Sequence, residues 1–157
     1  MPKIDIAKLP VDAVTNYPDP FWKPLTGRAR KRLGNAVGLS QFGVNLTTLK
    51  PGAWSSQRHW HANEDEFVYV LEGEIVLHED HGETVLKPGD AAGWKANGGV
   101  GHCLINRTQC DALYIEVGTR AATETAVYPD IDMRAERDKT GMRYMRKTGE
   151  PYPVRKV

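Results

Sequence analysis

Cysteine is scarce: Cys103 and Cys110 are the only two in 157 residues, too few for a disulfide framework. No apolar run approaches the roughly 18 residues that a membrane-spanning helix needs. The opening stretch, MPKIDIAKLP, lacks the apolar core of a secretory leader. Together these point to a cytoplasmic protein with no membrane partner. Neither sign of charge dominates: 21 Lys and Arg against 20 Asp and Glu leave a net charge of +1. That balance argues against nucleic-acid or membrane binding driven by electrostatics. Internal repeats and low-complexity tracts are missing as well. What the chain has in quantity is turn chemistry, with 15 glycines and 10 prolines, which predicts short elements joined by frequent turns. Its length fits one domain at roughly 150 residues per domain, and 40% apolar against 26% charged residues is ordinary for a globular chain.

Three segments follow from the pattern. Residues 1–41 are expected to form an extended N-terminal arm. Six of the ten prolines lie at or before position 51, and proline removes a backbone donor and restricts its neighbour. The basic run Arg28, Arg30, Lys31, Arg32 at its end fits a solvated face or interface rim better than an anion or nucleic-acid patch, because neither aromatic interleaving nor a helix-turn-helix pattern accompanies it. Residues 42–118 alternate strand and turn: Phe42 to Leu49, Glu66 to Leu71, Glu74 to His78, Thr84 to Leu86, His102 to Asn106 and Ala112 to Val117. Short strands with turn signals at this spacing predict an all-β sandwich or barrel. Residues 119–157 are expected to form a C-terminal arm, with a short helix over Asp132 to Lys139 where charges cluster.

The chemistry concentrates between Gly52 and Gly73. On a strand, residues two apart share a face, so His59 and His61 aim two imidazoles at one point while Trp60 faces away. A short loop delivers Glu66 to the head of the next strand. Glu64 and Asp65 crowd that loop, but Glu66 leads directly into the strand and is held by it. His102, opening another strand, supplies a fourth donor. Three imidazoles and a carboxylate fill four positions of an octahedron and leave two adjacent ones open. Such donors suit iron, manganese, nickel, zinc or copper and are poor for calcium. His78 and His81 flank a polar turn and are expected to be solvated. Cys103, next to His102, is expected to point to the opposite face. Gln57 and Asn106 are candidates for substrate contacts on the inner face, and Glu66 is the one candidate general base if its metal bond is weak.

The segment Gly52, His59, His61, Glu66, Gly73 resembles the first motif of the cupin superfamily across 22 residues. Gly89, His102 and Asn106 resemble the second, although Lys95 stands where proline is usual and the stretch Lys95 to Gly101 is two residues longer than the pattern. The resemblance implies a double-stranded β-helix, a small jelly-roll barrel over 42–118, with a single divalent transition metal (Fe, Mn, Ni or Zn) held inside by His59, His61, Glu66 and His102. It implies an enzyme acting on a small organic acid, sugar or related metabolite by isomerase, decarboxylase, lyase or dioxygenase chemistry. The alternative is a non-catalytic sugar-binding or regulatory cupin; retention of all four donors favours the enzyme. Outward apolar residues at Phe67, Tyr69, Leu71, Ile105 and Ile115 predict a homodimer, with the arm carrying Phe21 and Trp22 as a cover for the barrel, its own or a neighbour's.

Overall fold

The computed structural model describes residues 3–155. Twelve strands dominate: β1 Arg28–Arg32, β2 Phe42–Leu49, β3 Trp60–His61, β4 Glu66–Glu72, β5 Ile75–Glu79, β6 Gly82–Leu86, β7 Ala91–Trp94, β8 His102–Ile105, β9 Ala112–Thr119, β10 Glu124–Tyr128, β11 Met133–Asp138 and β12 Gly141–Met145. A single four-residue α-helix, Leu33–Ala36, and two 3-10 turns are the helical elements among the described residues. Every pairing is antiparallel, and the all-β expectation holds.

A five-stranded sheet runs β1-β2-β9-β4-β7 and a three-stranded one β6-β5-β8. Alternation puts Leu49, Val68, Val70, Ala112 and Tyr114 of the first sheet and Ile75, Leu77, Leu86 and Leu104 of the second into one buried cluster. That cluster is the barrel core, and burying it supplies the main driving force for closing the two sheets. The opposite residues of β4, Phe67, Tyr69 and Leu71, are exposed. Gly73 ends β4 with φ of +73°. A Cβ there would sit 2.7 Å from the Asp111 carbonyl, so the turn accepts only glycine.

The C-terminal segment is more regular than its charge clustering suggests. The expected helix over Asp132 to Lys139 is strand β11, paired on one side with β10 and on the other with β12. Its apolar residues alternate: Met133 and Ala135 are buried while Arg134 and Glu136 face outward. Period two, set by Met133 and Ala135, wins over a charge cluster of no particular period. This sheet continues through β10 to β3, so it is joined to the barrel at the histidine-bearing strand. Tyr17, Leu25, Ala126, Tyr128, Met133 and Ala135 form a second buried cluster against which Phe21 and Trp22 pack. The proline-rich arm therefore covers its own chain's C-terminal sheet.

The basic run is also placed differently from a solvated face. It is strand β1, registered on β2 with Arg28 opposite Leu49 and Arg30 opposite Thr47. Leu49 is a core residue, so Arg28 and Arg30 share the inward face; Arg28 is only 6% exposed. Periodicity again decides, since the sheet buries alternate residues whatever their charge.

Candidate metal centre

The segment 53–61 is pinned beside β8 before it joins β10. Ser55 N–H donates to the Leu104 carbonyl at 2.8 Å, and His59 and His102 exchange backbone bonds of 3.1 and 2.8 Å. That exchange sets His59 beside His102. Strand parity brings His61 to the same face, while Arg58, facing away, pairs with Asp80 and Asp130. On the other wall Glu66 heads β4, registered opposite Gly118 of β9 and Trp94 of β7. All four expected donors meet in a cavity of about 370 Å³ inside the barrel.

Their ring atoms converge. His59 Nε2 lies 2.9 Å from His61 Nε2, and His102 Nε2 lies 2.7 Å from Glu66 Oε2. His61 Nε2 is 3.4 Å from the same carboxylate oxygen. The far nitrogen of each ring meets an acceptor: His59 Nδ1 the Gln57 carbonyl at 2.9 Å, His102 Nδ1 the Val100 carbonyl at 3.3 Å. His61 Nδ1 faces the buried Glu124 carboxylate at 3.4 Å. A carbonyl can only accept, so His59 carries its proton on Nδ1 and turns a lone pair inward on Nε2. Glu124 favours the same tautomer for His61. Two lone pairs at 2.9 Å repel; a positive charge between them, a proton or a metal cation, removes the conflict. The donor set therefore fits a transition-metal ion, and the Nδ1 partners orient the rings as such partners do at metal sites.

The electrostatics agree. Burial pulls the His59 imidazole down to about 3, so it stays neutral. His61 is raised: burial opposes its charge, but the hydrogen bond and charge of Glu66, with Glu124 behind, outweigh it. Glu66 is held well below the usual carboxylate range; burial alone would raise it, and the hydrogen bonds from His102 and His61 reverse the effect. An ionised Glu66 carboxylate beside a neutral His59 imidazole suits a metal ligand set.

Of the competing carboxylates, Glu64 lies at the cavity wall, where it accepts from Ala121 N–H at 2.8 Å and pairs with Arg137. Asp65 accepts from Ala96 N–H. Cys103 is buried on the opposite face from His102, and burial pushes its thiol up to about 12. His81 is exposed, and His78 pairs with Glu83 at 3.2 Å. The two expected substrate contacts are placed elsewhere. Gln57 Nε2 donates to the Phe21 carbonyl at 2.6 Å and so fastens the N-terminal arm. Asn106 donates to the Leu49 and Cys110 carbonyls and accepts from Thr108, locking the turn before β9. Neither lines the cavity.

Several residues of the site carry no sequence signal of their own. Trp94 stacks flat on His102, with ring centroids 3.7 Å apart and planes within 4°. Tyr128 stacks on His59 at 5.5 Å. Glu124 accepts from the N–H groups of Ala62 and Asn63 and so anchors the turn after His61. Only the register of β7 on β4, and of β10 on β3, brings them in.

A cupin domain family model matches residues 45–118. No curated protein matches the chain. Among solved structures, a sugar phosphate isomerase from the cupin superfamily, from Silicibacter pomeroyi, is 46% identical over 97% of this chain and 97% of its own, with a TM-score of 0.94. A protein from Acidithiobacillus ferrooxidans, provisionally assigned as a sugar phosphate isomerase, is 28% identical over 83% of this chain and 80% of its own, with a TM-score of 0.72. The polyketide cyclase RemF from Streptomyces resistomycificus shares the fold at 18% identity over 76% of this chain and 79% of its own, with a TM-score of 0.64.

Proposed function

The chain belongs to the cupin superfamily, and from that membership and the cavity's chemistry we propose a divalent-metal-dependent enzyme of isomerase type acting on a small hydroxy-carbonyl metabolite of the sugar class. One observation carries the reading: His59, His61 and Glu66 bring their donor atoms together inside the barrel, the two nitrogens 2.9 Å apart, with His102 Nε2 2.7 Å from the same carboxylate. The similarity to the Silicibacter pomeroyi sugar phosphate isomerase supports the isomerase class over the decarboxylase, lyase and dioxygenase alternatives.

His59, His61, Glu66 and His102 would hold the ion, iron, manganese, nickel or zinc. A divalent ion held there would polarise a substrate carbonyl and so ease removal of a proton from the adjacent carbon. The chain's own groups supply the rest. Glu66, ionised and engaged by two histidines, suits a ligand better than a base. Glu116 on β9 faces the same cavity, registered opposite Val68 and so two residues along β4 from Glu66 on the same face. Its Oε1 accepts from Asn45 at 2.8 Å, and its Oε2 lies 3.4 Å from the Tyr114 hydroxyl. Glu116 Oε2 is placed to take and return the proton. Burial raises the Tyr114 hydroxyl far above its ordinary range, so that group remains a donor and orients a substrate oxygen.

Purified protein is expected to hold about one transition-metal ion per chain and to interconvert aldose and ketose forms in a screen of small phosphorylated sugars. A tightly held ion with no turnover on any sugar, acid or thioester would instead favour a ligand-binding role.

The partner proposed alongside is a second copy of the chain. Phe67, Tyr69 and Leu71 remain exposed on the outer face of the five-stranded sheet, and the arm that could have covered them is used on the C-terminal sheet. Ile105, counted with them in sequence, is buried and contributes nothing outward. Light scattering at low micromolar concentration is expected to give about twice the 17.5 kDa chain mass, and Tyr69→Glu is expected to return it to one chain. A single-chain mass for the parent protein refutes the dimer.

A further inference from the structure

We propose that Arg28 and Arg30 form an oxyanion subsite in the cavity, seating the carboxylate or phosphate end of the metabolite whose other end meets the histidine cluster. The far-end assignment rests on the metal-centre reading; the subsite itself does not. The cavity wall carries four arginines, Arg28, Arg30, Arg32 and Arg137. Three have carboxylate partners: Arg30 Nε lies 2.9 Å from Glu116 Oε1, Arg32 pairs with Asp12, and Arg137 with Glu64. The remaining cavity carboxylates are engaged as well, Glu66 by His102 and His61 and Glu124 by two backbone N–H groups.

Arg28 is the cation left over. It is 6% exposed, and its one hydrogen bond runs from Nη1 to the Ser55 carbonyl at 2.6 Å. Among the described residues no carboxylate forms a salt bridge with it. A guanidinium does not give up its charge in a protein, and a buried charge without a counter-ion is costly. Burial and the neighbouring Arg30 both work against that charge, yet the residue lines an open cavity. A ligand that brings a negative group supplies the missing counter-charge. Tyr144 lines the same cavity and its hydroxyl is a donor of the kind that an oxyanion uses, whereas those of Tyr17 and Tyr114 face Tyr128 and Glu116.

The placement also sets the ligand's shape. In the order β1-β2-β9-β4 the arginine strand is three strand spacings across from Glu66, about 14 Å, and the Arg28 rung, through Leu49 and Ala112, lies six residues along β9 from Gly118, which faces Glu66. Inward-reaching side chains from both ends shorten that gap, and Arg28, Arg30, Glu116 and the histidines line one continuous cavity, with Glu116 between the ends of an extended ligand. An anionic terminus at Arg28 thus leaves the reacting carbons beside the donor cluster.

The test is anion binding, read without turnover. Inorganic phosphate and acetate are titrated into the parent protein and into Arg28→Met, Arg28→Lys and His102→Ala, with the thermal midpoint and calorimetry as readouts. Phosphate or acetate is expected to raise the parent midpoint in a concentration-dependent way, and the tighter anion identifies the terminal group. Arg28→Met is expected to weaken binding about tenfold or more, as loss of a charge-assisted fork does. Its ligand-free midpoint should equal or exceed the parent's, because the unpaired charge is gone. Arg28→Lys keeps the charge but not the fork and should bind at an intermediate level; it carries the test if Arg28→Met does not fold. His102→Ala should bind the anion as the parent does, even where its metal is lost. Absence of metal in the parent, with anion binding intact, would overturn the metal-centre reading and leave the subsite standing. Binding that survives in Arg28→Met, or vanishes in His102→Ala, or is missing from the parent at tens of millimolar, overturns the subsite.

Discussion

His61→Ala and His102→Ala are each expected to empty the proposed metal site and abolish turnover together, while His81→Ala leaves both intact. The four donors come from three separate stretches of chain: the 59–61 segment, the head of β4 and the start of β8. None can substitute for another. Removing His61 leaves the His59 lone pair without its neighbour and takes the 3.4 Å contact from Glu66. Removing His102 takes the hydrogen bond on Glu66, at 2.7 Å, and leaves Trp94 stacked on nothing. Loss of groups that merely orient a metal ligand costs about 10–100-fold in affinity, so loss of a ligand itself is expected to cost about 100-fold or more. Metal content by elemental analysis and turnover, measured on the same preparations, decide the matter. His81 lies on an exposed turn, and an equal loss from His81→Ala would show that the loss reports general damage to the barrel. Full metal content in both ligand variants would remove the site altogether.

The meeting of His59, His61, Glu66 and His102 in one cavity was legible in the sequence because strand parity is a strong constraint. A His-x-His pair has one way to share a face on a strand, and a carboxylate at a strand head is held where a loop carboxylate is not. The same logic explains why Glu66 meets His102 while Glu64 turns to Arg137 and the Ala121 amide. What was not legible depends on register between distant strands. Trp94 reaches His102 only because β7 pairs with β4 opposite Glu66. Glu124 reaches His61 only because β10 pairs with β3. Arg28 and Arg30 look like surface charge until β1 docks on β2, and then parity turns them inward. Gln57 and Asn106 failed as cavity residues for the opposite reason: each is used up locally, one on the arm's backbone and one on its own turn. Polarity next to a site is a weak guide where backbone groups in loops also need partners.

The N-terminal arm leads to the second large expected effect. Deleting residues 1–24 is expected to leave the chain at the edge of folding, aggregating at concentrations where the parent is clear. The arm's ring system is packed as a core. Tyr17 meets Tyr128 edge-on at 5.8 Å and Tyr144 at 5.3 Å, and its hydroxyl lies 3.1 Å from that of Tyr128. Phe21 meets Tyr152 edge-on at 5.8 Å, and the Arg155 guanidinium sits 4.3 Å over Trp22. Backbone bonds fasten the segment too: Trp54 N–H donates to the Pro24 carbonyl at 2.9 Å, and Gln57 reaches the Phe21 carbonyl. Truncating one buried aromatic typically costs about 3–5 kcal/mol, against a total stability of about 5–15 kcal/mol for a domain. Removing three aromatic side chains with their backbone bonds therefore approaches the whole. The damage extends to the cavity, because Tyr17 lines its wall and Tyr128, which Tyr17 supports, stacks on His59. Point variants separate packing from the hydroxyl bond. Tyr17→Ala should lower the urea midpoint by an amount equivalent to about 3–5 kcal/mol, whereas Tyr17→Phe keeps the ring and loses about 1 kcal/mol. A truncated chain that stays soluble with an unchanged midpoint would mean that β10–β12 hold their face closed without the arm, and the second cluster would then be a surface ornament of the barrel instead of part of its core.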